Sequence, residues 1–322
     1  MRNIQPVATP VFNADIDFEM RGMMKKVYLY VIITAVLFGT MEVGLKMAGN
    51  QLDAFQLTFI RFMLGGGLLL IPALADMKKT GLRLNGKDWQ RLLALGIVCI
   101  PISMVLFQLG VQNSNASTAA VLFCVNPLFT MVLAHFFANE PMSRRKGVAF
   151  VLGLLGILAM MKPWDIQSGN TLMGMSLSLL AALFFSIYSI MGKKTIQRLG
   201  PFVQTSFSFF LGSAVLLVII LIMGKPVLTG VLVEWQLVLY VGFFVTGLGY
   251  LFYFLAMRGS NATTASVAFF IKPVIAPVMA AIILSEAILW NTYLGIGLIL
   301  VASYVQMTDK PNNLPKKQRL SS

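Results

Sequence analysis

From Val27 onward the chain is a succession of apolar blocks, each roughly twenty residues long and nearly free of charge, the length a helix needs to cross about 30 Å of hydrocarbon. That pattern excludes most soluble folds, because so many blocks laid end to end leave too little polar sequence to cover a water-facing surface. Composition agrees: 57% of residues are hydrophobic and only 11% are charged, against about one-quarter charged in a soluble globular chain. Lipid offers the backbone no hydrogen bonds, so the blocks are read as helices.

Dividing the blocks at their polar breaks predicts an all-α membrane protein of about ten spans. The first five run near Val27 to Met47, Ala54 to Ala75, Leu92 to Gln112, Ser117 to Ala138 and Gly147 to Met161. The second five run near Thr171 to Gly192, Phe202 to Met223, Leu237 to Met257, Ala262 to Ser285 and Leu289 to Met307. The first apolar run is longer than a signal-peptide core and lacks a small-residue cleavage site, so it is expected to stay as the first helix. Residues 1–22 are polar and slightly acidic without a period, which predicts disorder, with Met20, Met23 or Met24 as alternative starts to Met1.

The net charge of +13 raises nucleic acid as a partner, but no polar segment carries a basic stripe with interleaved aromatics, and none is expected. The basic residues sort by loop instead. Lys78, Lys79, Arg83, Lys87 and Arg91, then Arg144, Arg145 and Lys146, then Lys193, Lys194 and Arg198, then Arg258 fall in one set of loops with both basic tails. The other set holds little beyond Lys162 and Lys225, with Lys46 at a helix end. The positive-inside rule then puts both termini in the cytoplasm of a multi-pass inner-membrane protein. Trp89, Trp164, Trp235 and Trp290 fall at predicted helix ends, where indole rings form interfacial belts.

The chain also repeats itself. GVQNSNASTAAVLFCVNPLFTMVLAHFFANE from Gly110 aligns without a gap on AMRGSNATTASVAFFIKPVIAPVMAAIILSE from Ala256. Asn115 meets Asn261, Thr118 meets Thr264, Pro127 meets Pro273 and Glu140 meets Glu286. AVLFGTMEVGLKM from Ala35 likewise resembles ALFFSIYSIMGKK from Ala182. Each copy has an odd number of spans, so the two insert upside down relative to each other, as in secondary transporters whose substrate sits near the midplane between halves. The expected organisation is a disordered cytoplasmic tail over 1–26, five-helix repeats over 27–162 and 171–308, and a basic cytoplasmic tail over 309–322.

These motifs resemble the ten-helix EamA group of the drug/metabolite transporter superfamily over roughly residues 27 to 308. The resemblance rests on a small-residue turn, a Pro-bearing apolar helix closed by Glu, and then a Gly-rich helix, twice over: NASTAAVLFCVNPLFTMVLAHFFANE before Gly147, Gly153 and Gly156, and NATTASVAFFIKPVIAPVMAAIILSE before Gly295 and Gly297. Arg61 resembles the family's arginine in the second helix, with Phe209 near the corresponding place in the second half. Phe38 stands where family members commonly have Trp, and Glu42 adds a charge that many members lack. The resemblance implies two five-helix repeats around a central cavity and transport of amino acids or other small metabolites, often outward.

Charge near the bilayer centre costs from about 2.5 kcal/mol upward, which singles out Glu42, Arg61 and Lys272. At 1.5 Å per residue, Glu42 and Arg61 lie at the same depth, roughly 20 Å from the cytoplasmic side. They are expected either to pair as a structural ion pair between adjacent helices or to take part in transport. Lys272 falls near the midplane, with Asn126 at the duplicate position, and each precedes a proline. Pro127 and Pro273 are expected to kink their helices and displace the carbonyls of Phe123 and Phe269, so that Lys272 and Asn126 floor a polar site. The bland alternative leaves the prolines to shape the helices and Lys272 neutral or paired with Glu42. Tyr188 and Tyr250 are candidate lining residues, while Gln108, Gln204, Ser186, Ser189 and Tyr253 serve equally as interhelical glue. Glu140 and Glu286 at helix ends suit capping, gating or plain interfacial solvation. Gly65, Gly66 and Gly67 lie inside an apolar helix and are read as close-packing positions.

His135 has no second ligand at metal spacing, Cys99 and Cys124 read as small core residues, and no cofactor motif or catalytic constellation is visible, so neither metal, cofactor nor enzymatic activity is expected. The expected function is a secondary transporter, an exporter of amino acids or related carboxylates, with Lys272, Asn126, Glu42, Arg61, Tyr188 and Tyr250 as substrate-binding candidates. Its expected partners are the substrate and the bilayer, with protons as a candidate coupling ion. Nothing in the sequence indicates a homodimer. The alternative is proton-coupled efflux of cationic drugs through Glu42, as in the related small multidrug-resistance proteins. The loop charges predict that an impermeant thiol reagent on intact cells modifies Cys placed at Ser168 and spares Cys placed at Arg144. The reverse labelling pattern would overturn the orientation.

Overall fold

The computed structural model describes residues 14–138, 142–161, 169–260, 265 and 268–307, and every regular element among them is helical. Lys25–Gly49, Ala54–Thr80, Gly86–Gln112, Ala116–Phe137, Leu172–Leu199, Pro201–Ile222 and Trp235–Gly259 are long and apolar enough to cross a membrane. Three helices of 17 or 18 residues, Arg144–Met161, Ala268–Leu284 and Trp290–Met307, take the places expected of the fifth, ninth and tenth spans. Glu140, Lys162, Trp164, Asn261, Thr264 and the C-terminal tail lie outside the described residues.

The first helix runs over Ala14–Gly39, so residues 14–26, expected within a disordered tail, are helical. Helix ends follow local chemistry. Asp53 starts the second span by accepting a hydrogen bond from Phe55 N at 2.9 Å, and Gly81 ends it at φ 65°. Asn85 and Asp88 form a reciprocal capping box at the start of the third span. Gly200, at φ 80°, separates the sixth span from Pro201 at the head of the seventh.

Packing follows the duplication. The second span packs along the seventh and the fifth along the tenth, each helix against its own duplicate. The first span lies on the eighth and ninth, and its duplicate, the sixth, lies correspondingly on the third and fourth. Every pairing occurring twice is what a pseudo-two-fold axis requires. Its direction is fixed by Glu286, just beyond the ninth span, whose carboxylate accepts from Ala116 N at 2.7 Å and Ser117 N at 3.0 Å at the start of the fourth. The end of one copy meets the beginning of the other, so the repeats are inverted. Two further duplicates are segments of wider, π-helical winding, Val98–Met104 in the third span and Tyr240–Gly249 in the eighth.

Glycine sets the closest crossings. A Cβ on Gly96 of the third span would come within 2.7 Å of Gly212 N in the seventh. Gly65 faces the backbone of Gly247 and Gly66 faces Phe209, but Gly67 has nothing within 4 Å, so only the first two are close-packing positions. The reason is helical period: successive residues point about 100° apart. Gly96→Ala and Gly212→Ala should each destabilise by about 1–3 kcal/mol through overpacking, while Gly67→Ala should be neutral or slightly stabilising. Thermal unfolding in detergent distinguishes the three.

Candidate functional site

The first span is broken at Thr40, between Ala14–Gly39 and Met41–Gly49. Thr40 Oγ1 donates to Leu37 O at 3.0 Å and shares a 2.5 Å hydrogen bond with Tyr240 OH, at the head of the eighth span's π-helical segment. Gly39 leaves no room for a side chain, because Ile275 of the ninth span presses against it. This break puts Glu42 in the first turn of a new helix, beside the ninth span.

Glu42 pairs there with Lys272, and both side chains are completely buried. The ammonium lies over the faces of Phe123 and Phe107, 5.0 and 5.4 Å from their centroids, while Oε2 of Glu42 accepts no hydrogen bond. Of the two partners the sequence left open for Glu42, Arg61 and Lys272, the structure pairs it with Lys272. Equal depth placed Glu42 and Arg61 level but said nothing about azimuth. The face of the second span that bears Arg61 turns toward the seventh and eighth spans, where Gly65 and Gly66 pack one turn further on. Arg61 remains within electrostatic reach of Glu42. Among the described residues its Nη1 hydrogen-bonds only the Met41 sulfur, at 3.8 Å, and its Nε and Nη2 donate to nothing.

Asn126 does not join Lys272. Its Nδ2 donates to Ser186 Oγ at 2.8 Å and Ala182 O at 3.1 Å, on the sixth span. The arrangement is a mirror of the first: the residue before each proline grips the opening helix of the other repeat, through an ion pair in one case and a neutral hydrogen bond in the other. The fourth span is interrupted between Ala116–Phe123 and Asn126–Ala138, next to Pro127. In the ninth span, Ala268–Leu284 is continuous through Pro273 and Pro277.

Tyr188 and Tyr250 are wholly buried, and Tyr250 joins the two halves through its ring. Tyr250 stands edge-on to Phe209, Phe38 and Phe62 at 5.1, 5.3 and 5.6 Å, and its hydroxyl donates to Met104 Sδ at 3.1 Å. The Tyr188 hydroxyl lies against the side chains of Ser208 and Cys99. Ser189 meets Tyr253 at 3.0 Å and Gln108 donates to Leu45 O at 3.3 Å, both interhelical links.

Two parts of this centre escaped the sequence reading. The aromatic faces under Lys272, Phe107 and Phe123, look like any core phenylalanine in an apolar run. The π-helical segments had a faint signal: Pro101 in one span, and Gly242, Gly247 and Gly249 in its duplicate.

Residues 25–162 and 172–308 each match the profile of the EamA-like transporter family. The chain belongs to that family. A relative in Clostridium kluyveri, named an uncharacterized transporter, is 36% identical over 93% of this chain and 99% of its own length. Another of the same designation in Archaeoglobus fulgidus is 26% identical over 88% of this chain and 98% of its own. A Rickettsia prowazekii protein named an S-adenosylmethionine uptake transporter is 25% identical over 52% of this chain and 55% of its own. A solved crystal structure at 17% identity superposes with a TM-score of 0.66 over 92% of this chain and 99% of that one, which supports the fold.

In this EamA-like transporter the end of the bundle opposite the basic loops is closed by charge as well as by packing. Glu286 adds a 2.8 Å hydrogen bond from Ser117 Oγ to its two backbone contacts. Lys46 donates to Ser114 O at 2.6 Å and Val111 O at 3.0 Å, capping the end of the third span. Of the roles open to Glu286, the geometry is that of a cap donated by the other repeat.

The buried pair predicts strong coupling. Glu42→Gln or Lys272→Met alone strands one charge and should destabilise by about 3–5 kcal/mol, and the double variant should recover most of that loss. Melting of the four proteins, followed by size-exclusion chromatography, measures the coupling. A double variant no more stable than either single would contradict a direct pair.

Proposed function

We propose that this EamA-like transporter is a secondary carrier, an exporter of small carboxylate-bearing metabolites with amino acids foremost, working by alternating access about the Glu42–Lys272 pair. The observation that carries the proposal is the pair itself: an acid from one repeat and a base from the other, wholly buried where the halves meet. A zwitterionic amino acid offers a carboxylate to Lys272 and an ammonium to Glu42. It exchanges one internal ion pair for two with the substrate at no change in net charge, so binding can loosen the contact between repeats without stranding a charge.

Several features support the rest of the proposal. The loop charges favour cytoplasmic termini in an inner membrane, which makes the Lys46 and Glu286 end the outer one. Release outward then requires those caps to part. Pseudo-two-fold packing provides two mirror-related arrangements of the same helices, the usual basis of alternating access. The relative named for S-adenosylmethionine uptake concerns a molecule that ends in an amino-acid group, in keeping with the class but not with the direction. Efflux of cations through Glu42 is the weaker reading, because a cation at Glu42 would displace Lys272 and leave its ammonium buried and unpaired.

Metabolite profiling of cells with and without the protein, followed by counterflow in proteoliposomes, tests the class. Lys272→Ala should lower amino-acid counterflow at least about tenfold, the loss of one charge-assisted contact, in protein that stays monodisperse. Lys272→Arg should recover only part, since a guanidinium is larger and differently shaped. Unchanged counterflow in well-folded Lys272→Ala would remove Lys272 from the site.

A further inference from the structure

The exchange of ion pairs at Glu42 and Lys272 leaves Arg61 without a counterpart. Its side chain is wholly buried, and among the described residues two of its three nitrogens donate to nothing and the third reaches only a thioether sulfur. The carboxylate within its electrostatic reach, Glu42, is already engaged by Lys272. A guanidinium cannot relieve its burial by shedding a proton. Two cations and one anion at this centre leave it with one positive charge in excess, in a medium where a charge needs a partner.

The surroundings suit a ligand better than a structural role. The Arg61 guanidinium carbon lies 4.6 Å from the Phe62 ring centroid, a contact that holds a cation without using its N–H groups. Tyr250 and Cys99 are its other electrostatic neighbours. The ring of Tyr188 lies 6.4 Å from that of Tyr250 and extends the aromatic wall. A planar, permanently charged fork with free donors, walled by aromatics, is suited to a planar or tetrahedral oxyanion.

We propose that Arg61 receives a second oxyanion of the substrate, so that the preferred cargo is an amino acid bearing a further carboxylate or phosphate and is anionic at neutral pH. Its amino-acid group would lie at Glu42 and Lys272, which rests on the function proposed above, and its side-chain oxyanion at Arg61. That cargo neutralises the excess charge, which a plain zwitterion cannot do.

The test compares paired probes of different charge on the full chain in lipid nanodiscs: glutamate against its near-isostere glutamine, and O-phosphoserine against serine. Binding is read from ligand-dependent thermal stabilisation. Wild type should prefer the anionic member of at least one pair by about tenfold or more, and which pair shows it separates carboxylate from phosphate. Arg61→Gln should bring the two members to parity while the neutral probe keeps its affinity, and Arg61→Lys should keep a reduced preference. The wild-type comparison decides the matter even if the variants fail to fold. Equal or tighter binding of the neutral members by wild type, or a preference that survives in Arg61→Gln, would overturn the role of Arg61 and leave the proposed function standing. Binding of neither member of either pair would sink the amino-acid reading of the Glu42–Lys272 site and this inference with it.

Discussion

A carboxylate and an ammonium sealed together inside a membrane protein set the terms for everything around them. Neither Glu42 nor Lys272 can be withdrawn alone without leaving a bare charge in a medium of low dielectric, so the helices that carry them are obliged to stay together until something replaces the lost partner. The break at Thr40 brings Glu42 to the ninth span, Gly39 lets Ile275 approach, and the rings of Phe107 and Phe123 shield the ammonium. Each of these features serves one contact, and that contact joins the two repeats.

The duplicated contact is a neutral one. Asn126 and Ser186 occupy the corresponding place in the other half and hold it with ordinary hydrogen bonds. Such bonds are worth about 0.5–1.5 kcal/mol each, and breaking them leaves no formal charge exposed to lipid. The inverted halves are therefore alike in packing and unlike in what it takes to separate them. Charge concentrates on one side of the pseudo-two-fold axis, where Arg61 of the second span also lies within reach of Glu42. On the function proposed above, a symmetric scaffold with an asymmetric charge distribution would give a single site with a defined polarity.

Much of the scaffold was legible in the sequence, for a physical reason. Lipid forces every span to declare itself as an apolar block, and the gapless match of the stretch from Gly110 to that from Ala256 fixes duplication and inversion together. Depth was legible too, since helical rise converts sequence distance into position along the membrane normal. Azimuth was not: Glu42 and Arg61 were placed level, yet which faced which depended on the break at Thr40 and on the direction in which Gly65 and Gly66 turn the second span. Nor did Pro127 by itself say where the fourth span would break, which is between Phe123 and Asn126.

The irregular backbone gathers at the same level as the charges. Thr40 is tied to Tyr240, the first residue of the eighth span's π-helical segment, and Tyr250, the residue just after that segment, is tied to Met104, the last residue of the third span's counterpart. Wider winding leaves a helix with backbone groups that are less firmly committed, so these spans can change their course at lower cost than regular helices. On the alternating access proposed above, such joints in both repeats, next to the ion pair, would let a local exchange of charge partners reach the helix caps at Glu286 and Lys46 while the spans between move as stiff rods.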